Sequence, residues 1–497
     1  MNHPFLNDTF APDWDALTPD HVVADITVAL EQAQARIDAL GGLAAESLSF
    51  ENSFLALEAA TEPLTKAWGK VNHLDSVNNS AELREAINQM LPAVSSFSAA
   101  IPLNDKLYTV LRAAAGTSEV AGLKGAKRRF VDETLAEFRE QGAELSAPHK
   151  ERLMALKQAL AAKTQKFSEN VLDSTNRYEK IVEDEGLLQG LPESAKAAAL
   201  QSARSKGLGT DQHPVWRFTL HMPSLLPVLK YLDNREIRRE VYEAFSGTGA
   251  DPEHDNTHLI WEILALRREQ ARLLGKDQFA DVVLERRMAK NGAKALSFVE
   301  DLHDRVVDAF DNDVRELEEF AAGRAGTPVA HLEPWDSSYW SEKLQKARYD
   351  LDDEELRPYF SIDGVIKGAF GLAAKVFGIS VVERTGARKP QVWHPEVRFY
   401  DINDTASGVR LGSFYADWHP RETKRGGAWM NPFSTGDRSG GAAEPHLGVI
   451  CGNLTAPVGD GAALLTHREV QTIFHEFGHL LHHILGEVEV KSLNGTE

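Results

Sequence analysis

The sequence predicts a mainly α-helical protein with a small β-sheet late in the chain, placed beside its last long helix. Three observations carry that reading. Apolar residues recur at helical spacing through most of residues 20–380, with Gly and Pro at the joints. After about residue 380 the texture changes to short runs of β-branched and aromatic residues separated by turn formers. Finally, a proline-free stretch from Thr466 to Leu485 opens with strong helix-start signals.

Along the chain, the stretches 22–43, 81–91, 129–140 and 148–170 are rich in Ala, Leu, Glu, Lys and Gln, the residues that lose least on entering a helix. Gly41-Gly42, Pro102, Pro148, Gly190 and Pro192 mark the breaks. From 255 to 275, apolar Leu259, Ile263, Leu266 and Leu273-Leu274 define one face of a helix that stops at Gly275. Residues 290–323 and 362–378 read as further helices. All these stripes are expected to pack into a helical core. The stretches 392–401 and 410–416 flank a turn-forming run at 403–408 and predict a hairpin. The Gly-rich stretch 425–441 reads as an irregular loop, and 446–454 as a short strand, expected at a sheet edge where an extended peptide could pair with it.

Bulk properties narrow the function classes. The chain has 497 residues, long enough for one large or several ordinary domains. Its 74 acidic against 54 basic residues give a net charge of −20, which repels nucleic acid and anionic membrane alike. No run of eighteen apolar residues occurs, and Met1-Asn2-His3-Pro4-Phe5 is not a basic start, so the cytoplasm is the expected address. The single cysteine, Cys451, precludes an intrachain disulfide; beside Val449 and Ile450 it reads as a buried structural thiol.

The last helix carries the chemistry. Thr466 and Glu469 fit a capping box, with Leu465 and Val470 placed for a hydrophobic staple. Inside lies His475-Glu476-Phe477-Gly478-His479. Histidines at i and i+4 share one helix face, so both imidazoles can reach one Zn²⁺. Glu476 is placed to take a proton from an attacking water and hand it to a leaving amine. A chain with 18 histidines can also carry such a pair on a solvated face, so the helical context and capping add weight that the pattern lacks alone. His482 and His483 follow, but they lie roughly 10–12 Å along the axis from His475. One ion about 2 Å from each nitrogen cannot span that distance, and both are expected to support the site or face solvent.

The match to a known family extends well beyond that pattern. Leu411-Gly412-Ser413-Phe414-Tyr415 through Arg421, Lys424-Arg425-Gly426-Gly427-Ala428-Trp429-Met430, Asn453-Leu454-Thr455-Ala456-Pro457, Leu465-Thr466-His467 and the stretch from Phe474 to His479 resemble the thimet oligopeptidase and oligopeptidase A family of zinc metallopeptidases. So do Pro334-Trp335-Asp336 with Tyr339, Pro358-Tyr359-Phe360, Leu273-Leu274-Gly275 and the run from Trp68 to Leu74. The resemblance spans residue 20 to the end of the chain. It implies a two-lobed helical zincin-like metallopeptidase with a deep channel that admits short peptides, a helical N-terminal region at 1–220 and a catalytic region at 221–497. It implies His475 and His479 as zinc ligands and Glu476 as general base.

The family's third ligand is a glutamate on a neighbouring helix about two dozen residues beyond the second histidine, and the sequence stops before that point. The expectation is therefore of a chain lacking a C-terminal fragment, binding zinc weakly and inactive alone. A peptide-binding protein without turnover, or half of a split enzyme, are the alternatives. Glu497 is the remaining candidate for a third ligand, while Glu487 and Glu489 lie too close to the helix end and read as solvated.

Overall fold

The structure, a computed structural model, describes residues 3–326, 331–438, 444–459 and 461–495. Helices dominate it, and the stripes of the N-terminal half dictate how they pack. In the Pro19–Gly41 helix, Val22, Ile26, Ala29, Ala33 and Ile37 recur every three or four residues, and all are buried. They meet the equivalent face of the Ala56–Val77 helix, where Ala60, Leu64, Ala67 and Val71 are buried. Small residues in both stripes let the axes approach closely. Each larger aliphatic side chain buried there contributes about 1.5–3 kcal/mol.

Among the described residues the strands are Lys180–Val182 (β1), Trp216–Phe218 (β2), Ile379–Glu383 (β3), Arg398–Asp404 (β4), Arg410–Asp417 (β5), Trp429–Ser434 (β6) and His446–Cys451 (β7). β1 and β2 form a separate antiparallel pair within a stretch whose helical propensity conceals them. The other five form one sheet in the order β3-β4-β5-β7-β6. β3, β4 and β5 are an antiparallel meander containing the expected hairpin, β7 runs parallel to β5, and β6 is antiparallel to β7.

Two expectations change here. The stretch read as a loop at 425–441 contains β6, and the strand at 446–454 is not an edge: β7 is paired on both sides, by β5 and by β6. The edge is β6. Its Pro432 explains both the concealment and the position, since a residue without an N–H is tolerated at a sheet edge rather than in its middle.

Strand alternation divides the sheet into two buried faces. Phe399, Tyr415, Leu447, Val449 and Cys451 pack with the N-terminal helices. Tyr400, Ile402, Phe414, Ala416 and Ile450 point the other way, beneath the Ile362–Phe377 helix and the helix His467–Ile484. A third cluster, around Trp216, Phe218, Leu225 and Val228, forms the core of the middle of the chain.

One helical stripe does not pack as expected. In the Gly292–Ala325 helix only Gly292 and Ala321 are buried, while Phe298 is 67% and Phe310 64% exposed. Its final turns rest on the Pro334–Tyr349 helix, with Phe320 edge-on to Trp340. Along the rest of its length no described element covers Leu296, Val299, Leu302 or Val306.

Candidate metal and catalytic site

The helix His467–Ile484 is fixed at its start by a complete capping box. Thr466 Oγ1 accepts from the Glu469 amide at 3.2 Å, and Glu469 Oε2 accepts from the Thr466 amide at 2.7 Å. The other carboxylate oxygen of Glu469 accepts from the amide and hydroxyl of Thr455, at 2.5 and 2.8 Å. One acidic side chain thus ties the helix to the segment that follows β7, and its charge also suits the positive end of the helix dipole. Leu465 is fully buried and Val470 partly so, in the same cluster, as a staple requires.

Below the cap, Ile473, Phe477, Leu480, Leu481 and Ile484 face the sheet. Two glycines make that landing possible. A Cβ on Gly448 in β7 would stand 2.7 Å from Leu480 Cδ1, and a Cβ on Gly412 in β5 would stand 2.7 Å from Ile484 Cδ1. A Cβ on Gly448 would force the tip of Leu480 aside, and one on Gly412 would also stand 2.7 Å from the His446 carbonyl. Gly412 is part of the family-like pattern and Gly448 is not, and the role of both is visible only once the helix crosses them.

The opposite face carries the metal candidates. His475 is exposed and His479 partly so. Their Nε2 atoms lie 3.1 Å apart, with the rings 4.7 Å between centroids and nearly perpendicular. An ion about 2.0–2.1 Å from each nitrogen would see them at an angle of roughly 100°, close to tetrahedral. The pair therefore fits zinc as two of its ligands. Among the described residues no group of three or more His, Cys, Asp or Glu gathers at one point. Glu497 lies outside the described residues. Glu489 pairs with Lys127 at 3.1 Å, and Glu487 is exposed.

Glu476, one residue along from the first histidine, is 8% exposed. Burial raises its carboxyl above the usual range, while His475 and His479 pull in the opposite direction without cancelling the effect. A carboxylate made more basic by its surroundings is what proton abstraction from water calls for.

The two trailing histidines separate cleanly. His482 is exposed, whereas His483 is buried with its ring 5.0 Å from that of His446, at the start of β7. His446 Nδ1 accepts from the Gly436 amide at 3.0 Å, and its Nε2 lies 2.8 Å from Arg438 Nη2 and 3.2 Å from the Gly486 carbonyl. Burial, with His483 alongside, pushes the His446 pKa down to about 4, and burial lowers that of His483. Both rings are internal braces between the helix and β7. Helical spacing from Glu476 and Leu480 already puts His483 on the buried side, whereas nothing in the sequence marks His446.

Other residues quoted for the family resemblance have structural work. Asp417, at the end of β5, accepts from Trp393 Nε1, from both terminal nitrogens of Arg421 and from Lys424 Nζ, all within 2.6–2.8 Å. Burial would raise its carboxyl, but Arg421 and Lys424 outweigh that and hold it at about 2. Asp336 receives Arg235 and Arg238. Cys451 is fully buried with its thiol pushed up by burial, which makes it inert.

Comparison with known proteins places the chain in a family. The profile of Peptidase family M3 matches residues 228–497, and that of the Neurolysin/Thimet oligopeptidase N-terminal domain matches residues 25–150. Oligopeptidase A of Haemophilus influenzae is 37% identical over 501 residues, covering 100% of this chain and 72% of the relative. Oligopeptidase A of Escherichia coli is 36% identical over the same shares. The organellar oligopeptidase A of Arabidopsis thaliana is 36% identical over 97% of this chain and 61% of its own length. With this identity along its whole length, the chain belongs to the thimet oligopeptidase and oligopeptidase A family, peptidase family M3.

Proposed function

We propose that this protein is a zinc-dependent endopeptidase acting on short oligopeptides, with His475 and His479 holding the ion and Glu476 as general base. The observation that carries the reading is the convergence of the two Nε2 atoms to 3.1 Å on the exposed face, with the buried carboxyl of Glu476 next to them. Zinc, when bound, supplies a Lewis acid for the scissile carbonyl and makes water a nucleophile near neutral pH. Glu476 takes the proton from that water and delivers it to the leaving amine. The capping box, the glycine landing and the His446–His483 contact hold the helix so that all three side chains keep their places.

For the substrate, β6 takes the role expected of the strand at 446–454. It is the edge strand on the side of the catalytic helix, and the helix His467–Ile484 packs across β7 and β6. Main-chain pairing along an edge reads extended conformation more than side-chain identity, which suits a broad peptide range. Restriction to short peptides through a channel is part of the same proposal, as is a catalytic region at 221–497 following a helical region at 1–220. The profile matches at 228–497 and 25–150 support that division. A cytoplasmic site of action is proposed too; since one relative is organellar, cell fractionation decides it.

The test, on protein whose zinc site is completed by its third ligand, compares the parent with its Glu476→Gln variant for zinc affinity, by competition with a chelating dye, and for cleavage of an internally quenched peptide. The variant should keep its zinc affinity within a few-fold and lose hydrolysis by about 10²–10⁴-fold. His479→Ala should lose the zinc. A Glu476→Gln variant that hydrolyses within a few-fold of the parent would remove Glu476 from the role of base.

A further inference from the structure

A crevice of about 440 Å³ opens between the helices Glu193–Ser205 and Met222–Tyr231 on one side and residues 455–458, 462 and 464 on the other. No residue of the HExxH helix lines it. Its volume falls within the range of about 300–1,000 Å³ typical of small-molecule sites. Much of the wall is small and apolar, from Ala195 and Ala199 on one helix, Pro223 on the next, and Pro457 and Val458 across the gap.

The charged part of the wall is one-sided. Among the described residues, Arg217, Arg357 and Arg421 line the crevice, with one carboxylate, Glu422. The other carboxylates that balance these arginines are Glu179, Glu354 and Asp417, and none of the three is part of the lining. In a chain of net charge −20 this is a concave surface that presents guanidinium groups. Arg217 is engaged by Glu179, Ser202 and Glu422, and Arg421 by Asp417 and the Val77 carbonyl. Arg357 is less fully used: Nε donates to Glu354 at 2.7 Å and Nη1 to the Leu464 carbonyl at 3.0 Å, leaving Nη2 without a hydrogen bond among the described residues.

We infer that this crevice is a binding site for a small carboxylate with an apolar body of dipeptide size, its carboxylate seated on Arg357. A guanidinium with spare donors favours an anionic oxygen over a neutral one, because charge-assisted hydrogen bonds are the stronger class. The far wall is connected to the HExxH helix. Thr455 donates twice to Glu469 of the capping box. Gln201 braces the same segment like a peptide unit, donating to the Pro457 carbonyl at 3.3 Å and accepting from the Gly459 amide at 2.8 Å. An occupant stiffens 455–464 and, through Thr455, steadies the start of that helix. The carboxylate can be the C-terminus of a short peptide or a non-peptide organic acid.

Binding is measured on chelator-treated protein, so the result does not depend on the peptidase reading. The probes are Ala-Leu, its C-terminal amide, and isocaproate. Ala-Leu should bind saturably, slow amide exchange across 455–464, and weaken by about tenfold or more on amidation. Tighter binding of Ala-Leu than of isocaproate identifies a peptide C-terminus as the ligand, and equal binding identifies a general organic-acid site; either supports the inference. Arg357→Gln should weaken binding about as much as amidation does. Because Arg357 also holds the Leu464 carbonyl, Ala198→Trp serves as an independent variant: Ala198 is an exposed helix position on the crevice wall, and an indole there should fill the space and abolish binding. His479→Ala should bind normally. The inference is overturned by no saturable binding of either carboxylate at about 10 mM, by equal binding of the amide, by unchanged binding in Ala198→Trp, or by loss of binding in His479→Ala.

Discussion

The helix His467–Ile484 and the helix Gly292–Ala325 are both amphipathic, and they end in opposite situations. The shorter one buries Ile473, Phe477, Leu480, Leu481 and Ile484 against two strands that leave room for it at Gly412 and Gly448. The longer one, 34 residues against 18, carries a stripe through Leu296, Val299, Leu302, Val306 and Phe310 that no described element covers. Periodicity specifies a helix and its apolar face. It does not specify a surface for that face to land on, and the landing surface decides which stripe contributes to stability.

The largest effect that follows is at Leu480. It is fully buried and lies directly over Gly448, so Leu480→Ala should cost about 2–5 kcal/mol, the transfer loss plus the cavity left behind. Urea denaturation gives the number. A cost below about 1 kcal/mol would mean that the helix is not seated on β7 as described.

The landing surface is itself supported from behind, and that support depends on pH. His73, on the Ala56–Val77 helix, is buried with its ring 4.2 Å from that of Trp393 and 4.8 Å from that of Phe433. Neither of its ring nitrogens has a hydrogen-bond partner among the described residues. Burial pushes its pKa down to about 3, against about 6.5 in an unfolded chain. Between those values the unfolded state holds a proton that the folded state does not. Stability therefore falls as pH falls through that window, by about 1.4 kcal/mol per unit, or roughly 2 kcal/mol by pH 5. Above about 6.5 the histidine contributes no slope. His73→Phe should flatten the profile between pH 6.5 and 3, read as the difference between variant and parent in urea midpoints.

A smaller effect is expected at the cap. Thr466→Ala removes the acceptor for the Glu469 amide, and losses of this kind cost about 1 kcal/mol. The His475–His479 pair lies in the third and fourth turns, so the stability loss should come with little change in zinc affinity. A large drop in affinity would show that the cap also sets the geometry of the pair.

Much of this architecture was legible in the sequence because it is written locally. Capping box, staple and HExxH spacing involve residues within four or five positions of one another, and the 403–408 turn announces its hairpin. Among the exceptions, β6 follows a glycine pair and contains Pro432, so its pairing to β7 is decided by tertiary contact rather than propensity. The three-residue strands β1 and β2 are too short to show a period. His446 and Asp417 gain their roles from residues brought to them by the fold. At the candidate site the three principal side chains were readable because one helix carries them all. The supports beneath that helix come from other elements and were not.

The smallest predicted effect tests the comparison most directly. Phe310 is one of the bulkiest residues on the outward stripe and is 64% exposed. If burial rather than periodicity determines contribution, Phe310→Ser should change stability by no more than about 0.5 kcal/mol, as substitutions outside packed surfaces do. Ser and Phe differ in helix propensity by only about a few tenths of a kcal/mol, so propensity adds little. An exposed apolar stripe also attracts other apolar surface, and the variant should remain monodisperse to higher concentration than the parent in light scattering. Phe298→Ser, at 67% exposure, should behave in the same way. A loss of about 2 kcal/mol or more at either position, the scale of a buried side chain, would mean that the stripe is packed in solution, and the contrast between the two helices would not hold.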